Sequence, residues 1–299
     1  FLKKQPNAIP YVTSYYKKNW GFCIKDNERK KINKKKKYHV FINSKFSKGS
    51  MNYGEVFLKG RSKKEILFST YLCHPSLANN ELSGPILATL IYKWLVKKKR
   101  YYSYRIIFIP ETIGSIAYLN KNLQNLKKNI IAGFVLSCVG DEKSYSYMPS
   151  RNGNTLSDLQ IKNVFKKNKI KYKKFSWLDR GSDERQYCAP GVDLPVASLM
   201  RSKYGTYKEY HTSLDTFENV LTEKGLRETF KLYKEIIENI EKNLYPSALN
   251  KCEPFMTKYK LYKTVSIKNS YLKKGNLLLN LLTYSDGTIS AKDIARKIR

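Results

Sequence analysis

Two histidines and one glutamate in this chain stand where metal-assisted hydrolysis would need them. His74 lies in Cys73-His74-Pro75, directly after the apolar run from Ile66 to Leu72, and His211 lies in Tyr210-His211-Thr212, ahead of a long helical pattern. Imidazole and carboxylate oxygens are good zinc ligands, and a catalytic zinc needs about three of them plus one open position for water. Glu81, at a predicted helix start, is the first candidate for the carboxylate, with Asp183 and Asp141 as alternates. Glu111 follows the run Arg105 to Ile109 and would take the proton of the attacking water as general base. Its rival reading is a cap on the helix starting near Ile113.

Other polar residues have two readings each. Asp183-Glu184-Arg185 follows Gly181-Ser182 in a polar loop, which suits a surface salt-bridge cluster or a loop that orients substrate. Asp215 reads better as a helix N-cap than as a partner that orients His211. Cys73 and Cys138 flank the same edge with no histidine base at hand in sequence, so packing is preferred over a thiol nucleophile.

These residues must be positioned by an alternation of strands and helices that begins at Glu65. Strands are predicted at 66–72, 105–109, 132–138, about 172–177 and 194–200, and helices at 82–98, 115–127, 155–168 and from 217 to about 244. Such alternation indicates an α/β fold with helices on both faces of a sheet. His74 and Glu111 then fall just past strand carboxyl ends, the edge at which open α/β sheets place their ligands. Asn79 or Asn80 is a natural N-cap for the first helix, and Asp215-Thr216-Phe217-Glu218 resembles a capping box for the last. Upstream, two further strands are predicted at 38–43 and 55–59. After Pro246 come an extended segment at 259–267, the helical pattern Leu277 to Leu282, a turn at Asp286-Gly287 and the start of another helix, which is a helix-turn-helix pattern.

Composition limits the partners. The 299 residues are 41% hydrophobic, and no window reaches the roughly 18 apolar residues that a membrane helix needs. The five cysteines form no Cys-x-x-Cys pair, which predicts a reducing, cytoplasmic setting. A net charge of +33 suggests nucleic acid, yet lysine far outnumbers arginine and the charge is spread over the chain. At most weak nucleic-acid binding is expected. The sequence opens on Phe1 and breaks off inside a helical pattern, so a fragment of a longer protein is expected.

Taken together, these segments resemble the zinc aminopeptidase superfamily, which also holds the glutaminyl cyclases. His74 is similar to the first metal-binding histidine, Ala78 to Gly84 to a segment usually read Ala-x-Asp-Asn-x-Ser-Gly, Glu111 to the catalytic glutamate, and His211-Thr212 with Asp215 to the last metal-binding segment. More narrowly, Cys73 to Gly84, Pro110 to Ser115, Gly181 to Tyr187 and Tyr210 to Asp215 resemble the aminopeptidase-like family DUF4910. The resemblance implies a three-layer α/β sandwich with a mixed central sheet and a truncated C-terminal winged helix. It also implies three segments: 1–60 as the end of an inserted DUF2172-like domain, 61–247 as the catalytic domain and 248–299 as the winged helix.

Three departures from the family pattern bear on activity. Asn80 stands for the aspartate that bridges two zincs, Thr112 for the second glutamate of a pair, and Ser137 for another aspartate. Two neighbouring dications need such anions to offset their repulsion, so one zinc per chain is expected, held by His74, His211 and Glu81. The predicted function is hydrolysis of an amide bond in a peptide or small molecule, with Glu111 as base and Asp183 or Arg185 orienting the substrate. The alternatives are a deacylase or amino-sugar-modifying enzyme of surface-polysaccharide synthesis, or a non-catalytic binding or regulatory protein.

Overall fold

The run from Glu65 to Tyr71 forms a strand with every residue buried, as a strand covered on both faces requires. The computed structural model describes residues 1–14, 17–242, 245–259, 271–287 and 289–298. Seven strands form one sheet: β1 (Gly54–Leu58), β2 (Glu65–Tyr71), β3 (Ser103–Ile109), β4 (Ile130–Val135), β5 (Ser146–Met148), β6 (Lys173–Lys174) and β7 (Val196–Met200), in the order β1-β3-β2-β4-β7-β5-β6. The β3-β2-β4-β7 centre is parallel, whereas β1 on β3 and β5 on β7 are antiparallel. The sheet is therefore mixed, as expected. Because the chain moves from β2 to β3 on one side and then to β4 on the other, the order reverses at β2. That reversal opens a crevice beyond the carboxyl end of β2, where His74 follows.

The helices are α1 (Asp26–Lys31), α2 (Ser83–Leu95), α3 (Ile113–Asn129), α4 (Leu156–Lys167), α5 (Glu184–Tyr187), α6 (Glu223–Lys242), α7 (Tyr271–Thr283) and α8 (Ala291–Lys297). Side chains alternate across a strand, so Leu67 and Phe68 serve opposite layers. Leu67 packs with Tyr118, Leu119 and Leu126 of α3 and Tyr187 of α5. Phe68 stacks on Phe134 at 5.5 Å and meets Tyr233 of α6 edge-on at 6.1 Å. Each fully buried side chain of this kind contributes about 1.5–3 kcal/mol. Gly84 opens α2 against the sheet. A Cβ there would come within 2.3 Å of the Leu136 carbonyl and the Thr70 hydroxyl.

Several local expectations change. A π-helical turn, Ala78–Leu82, precedes α2, and neither Asn79 nor Asn80 caps it with its side chain. The Asp215 carboxylate does so instead, accepting the N–H groups of Asn79 and Asn80 at 2.8 and 2.9 Å. Asp215 thus caps a helix far away in sequence, not its own. The last long helix begins at Glu223, with Thr222 Oγ1 accepting the Gly225 N–H. α4 has the capping box Thr155/Asp158. Residues 38–43 form no strand, and the strand predicted at 172–177 shrinks to two residues.

Two compact units divide at Lys234/Glu235. In the first, β1 pairs antiparallel with β3 as the edge of the main sheet, although it falls within the segment 1–60. In the second, α7, a turn and α8 follow in order, with Ser290 Oγ accepting the Asp293 N–H at the start of α8. Most of the extended segment expected at 259–267 lies outside the described residues. Among the described residues no helix is long and apolar enough to cross a membrane.

Candidate active site

The turns after β2 and β3 and the loop carrying His211 meet at the crevice. The rings of His74 and His211 are 5.2 Å apart, centre to centre. The sequence reading asked for this approach across a long separation. Two imidazoles on one tetrahedral ion, with bonds of roughly 2.0–2.1 Å, bring their ring centres to about 5 Å of one another. Tyr11 lies 5.2 Å from the His74 ring and 5.4 Å from the His211 ring, Tyr71 lies 5.4 Å from His74, and Tyr210 stacks on His211 at 3.9 Å. The pair is walled by aromatic rings. Three non-glycine residues in these turns have positive φ, Ser76, Thr112 and His211, as does Cys138 after β4. For β-branched Thr112, with φ 64° and ψ −69°, that is costly backbone, of a kind that collects at functional sites.

The two histidines differ electrically. Burial and the neighbouring His74 push His211 down to about 4, so it is neutral across the physiological range. Its buried Nε2 has no hydrogen-bond partner. For His74, burial acts downward, but hydrogen bonds to Cys73 and Glu81 outweigh it and raise the group to about 10. His74 Nδ1 lies 3.1 Å from Glu81 Oε2 and 3.1 Å from Cys73 Sγ. Glu81 Oε1 accepts the Cys73 N–H. Both Glu81 oxygens are therefore engaged, on the Nδ1 side of His74.

Glu111 faces the other ring nitrogen, with Oε2 3.7 Å from His74 Nε2. Its Oε1 accepts the Ser182 hydroxyl at 2.9 Å. Burial raises this carboxyl above the usual range, against the opposing pull of Ser182, His74 and Arg185. The start of α3 is held by Asp183 instead. Asp183 is fully buried, and its Oδ1 accepts the Thr112 N–H at 2.8 Å and the Ser115 hydroxyl at 2.9 Å. Burial, with Glu111 and Glu184 nearby, pushes it up to about 7. Arg185 donates to the Thr112 hydroxyl. Asp141 is spent on Ser202, Asn79 and the Lys143 N–H, away from the histidines.

At two of the three departures from the family pattern, Asn80 and Ser137, neutral groups bond one another. Asn80 Nδ2 donates to the Tyr71 hydroxyl at 2.8 Å, and that hydroxyl lies 2.7 Å from Ser137 Oγ. Asn80 is 1% exposed, and its Oδ1 has no partner. A single dication fits this site, given an orphaned imidazole nitrogen, a facing second imidazole and a half-free carboxylate. Among the described residues, the donor atoms of Cys73, His74 and Glu81 also lie within 4.8 Å of one another.

Some partners escaped the sequence reading. Cys73 had its histidine in the adjacent residue, and Tyr210 adjoins His211, so both signals were local. Ser182 was visible only as a lead-in to the acidic loop. Tyr11 had no local signal; backbone pairing brings it in, with the Tyr11 N–H donating to the His211 carbonyl at 2.8 Å. Burial raises Cys138 to about 12, which agrees with a packing role.

Comparison with known proteins follows the same lines. The chain is 42% identical over 292 residues to a Clostridium acetobutylicum protein provisionally named a polysaccharide biosynthesis protein with aminopeptidase-like domain, covering 97% of this chain and 66% of that one. A crystal structure from the same organism, provisionally described as a peptidase, matches with TM-score 0.79 and 40% identity over 99% of this chain and 66% of that chain. The chain thus spans somewhat less than two thirds of either relative. A zinc aminopeptidase from Bacillus subtilis shares the fold, with TM-score 0.53 and 17% identity over 66% of this chain and 51% of that one. A winged helix-turn-helix family matches residues 243–299. Residues 10–243 match DUF4910, a domain of unknown function, and the chain belongs to that family.

Proposed function

We propose that the chain is the catalytic part of a mononuclear zinc hydrolase of aminopeptidase type, acting on an amide bond of a peptide or small molecule. The observation that carries this reading is the pair His74 and His211, 5.2 Å apart, with the Glu111 carboxylate 3.7 Å from His74 Nε2. When bound, zinc would polarise the substrate carbonyl and acidify the attacking water. The remaining work falls to the chain's own groups. His74 and His211 bind as neutral imidazoles. Glu81, expected at first as a ligand, accepts from Nδ1 of His74 and so fixes the ring with Nε2 inward, the usual role of a carboxylate behind a metal-binding histidine.

Glu111 takes the proton from water as its oxygen adds to the carbonyl carbon. It returns that proton to the amine nitrogen as the C–N bond breaks, leaving an acid and an amine. Ser182 holds one Glu111 oxygen so that the other faces the reaction. Arg185, beside Thr112, orients the substrate, while Asp183 fixes the turn that carries Glu111 and Thr112.

A second reading, cleavage of an acyl-amino sugar, draws support from the polysaccharide name of the 42% identical relative. We place the protein in a reducing, cytoplasmic setting because its five cysteines are unpaired. The winged-helix segment is assigned at most weak, salt-sensitive nucleic-acid binding. The test is elemental analysis of the purified protein, followed by assays of aminoacyl amides and N-acyl amino sugars with and without a chelator. Chelator-sensitive release of amine supports the reading. A protein without affinity for zinc, or turnover indifferent to metal, refutes it.

A further inference from the structure

Three consecutive residues beside the proposed base each keep a buried polar atom without a partner: Asp183 Oδ2, Glu184 Oε2 and Arg185 Nε. Buried charges are normally paired, yet these neighbours do not pair with one another. Each acid is tied elsewhere. Asp183 Oδ1 holds the Thr112 N–H and the Ser115 hydroxyl, and Glu184 Oε1 accepts the N–H groups of Gly181 and Ser182 at 3.0 and 3.1 Å and the Tyr204 hydroxyl. Arg185 donates through Nη2 to the Thr112 hydroxyl, and no carboxylate among the described residues lies within ion-pair distance of it. Exposure decides which charge a substrate meets. Ser182, Asp183 and Glu184 are at most 1% exposed, whereas Thr112 and Arg185 are only half-buried. The acids lie under the turn, and the guanidinium lies at its surface. Thr112 adjoins Glu111, and Arg185 is close enough to Glu111 to favour its ionised form. Of the five guanidinium N–H groups, one goes to Thr112 and the Nε–H is covered, which leaves the Nη1 edge for a ligand.

We propose that the substrate amide carries a carboxylate and that Arg185 binds it, so that the chain selects N-acylated amino acids and similar acids over substrates with a free amino terminus. This inference rests on the proposed hydrolase reading and names its substrate class. An ammonium group placed beside Arg185 is repelled, whereas a carboxylate accepts two parallel N–H groups from the guanidinium fork. Thr112 gains a role in the same arrangement. A second glutamate at that position would pair with the guanidinium and cancel its charge; the threonine hydroxyl holds it in place with the charge intact.

Calorimetry on the full chain near pH 7, zinc-loaded and metal-free, reads binding without turnover. The probes are N-acetyl-L-alanine, its neutral amide N-acetyl-L-alaninamide and the cation L-alaninamide. The acid binds more tightly than either by about tenfold or more in both metal states. Arg185→Gln, which keeps a donor for Thr112, weakens binding of the acid by about 10- to 100-fold, the range for a hydrogen bond to a charged group. Arg185→Lys recovers part of the loss, because a point charge replaces a fork. Equal affinity for the acid and its amide, tighter binding of L-alaninamide, or failure of the acid to bind overturns the inference. So does a preference for the acid that Arg185→Gln leaves untouched, which would put the carboxylate on protonated His74 or on zinc. If Arg185→Gln does not fold, the wild-type ranking and Arg185→Lys still decide. The hydrolase reading fails separately, when the chain has no affinity for zinc, and the measurements on the metal-free chain are indifferent to that failure.

Discussion

Glu111 turns its carboxylate toward His74 and away from the helix that it precedes: Oε2 lies 3.7 Å from His74 Nε2, and no side-chain oxygen of Glu111 caps α3. Asp183 binds the Thr112 N–H and the Ser115 hydroxyl there, so the residue proposed as base and the one that holds the helix start are separate. Glu111→Gln should therefore keep the fold and the zinc content while lowering turnover by about 10² to 10⁴, the range for a positioned general base. Gln retains the bond from Ser182 but cannot accept a proton from water. Turnover, metal content and melting temperature measured on both proteins check this. An active variant sinks the mechanism.

Asp183 should give the metal-free protein a recognisable pH dependence. Its folded-state pKa of about 7 lies above the ordinary carboxyl value of 3.8, so the folded chain binds the proton more tightly than the unfolded chain between those limits. Stability from this group is present at low pH and is lost as pH rises toward and through about 7. Asp183→Asn keeps an acceptor for Thr112 and Ser115 without the ionisation. Thermal melts from acid to mildly alkaline pH should show the variant gaining on the wild type as pH rises. A constant difference between them would mean that Asp183 ionises as freely in the fold as outside it.

Zinc binding should release protons. Without metal, His74 titrates near 10 because Cys73 and Glu81 offset its burial, whereas His211 titrates near 4 and is already neutral. Near neutral pH, ligation through His74 Nε2 displaces about one proton, and apparent affinity rises with pH until His74 loses it unaided. Calorimetry in buffers of different ionisation heat measures that number directly. A value near zero would show that His74 does not act as a ligand through a titrating nitrogen.

What could be read from the sequence follows the range of the interactions. The run from Ile66 to Leu72 announced β2, and with it the position of His74, because burial on both faces leaves an unbroken apolar pattern. The helix at 155–168 was legible to within a residue or two, since its Thr155/Asp158 capping box is local. Asp215 misled because its partners, Asn79 and Asn80, are 136 and 135 positions away, and such a bond leaves no periodic trace. Asp183 likewise reaches across the chain, its carboxylate lying buried beneath Thr112, 71 positions away. The pairing of β1 with β3 was not legible, because an edge strand added antiparallel to a parallel sheet carries no sign of its partner.

The chain should bind one zinc, not two, even at saturating metal. A paired site needs anions between its ions, and here those positions hold the Asn80–Tyr71–Ser137 hydrogen bonds and Thr112. The guanidinium of Arg185 donates to Thr112, placing a fixed positive charge where the family pattern has a second glutamate. A second dication would face that charge with no carboxylate to offset it, and burying an uncompensated charge costs several kcal/mol. Native mass spectrometry of the zinc-saturated protein should therefore give a single adduct, lost in His211→Ala. Two ions of comparable affinity would show that carboxylates beyond Glu81 and Glu111 reach the crevice, and would remove the argument for a mononuclear site.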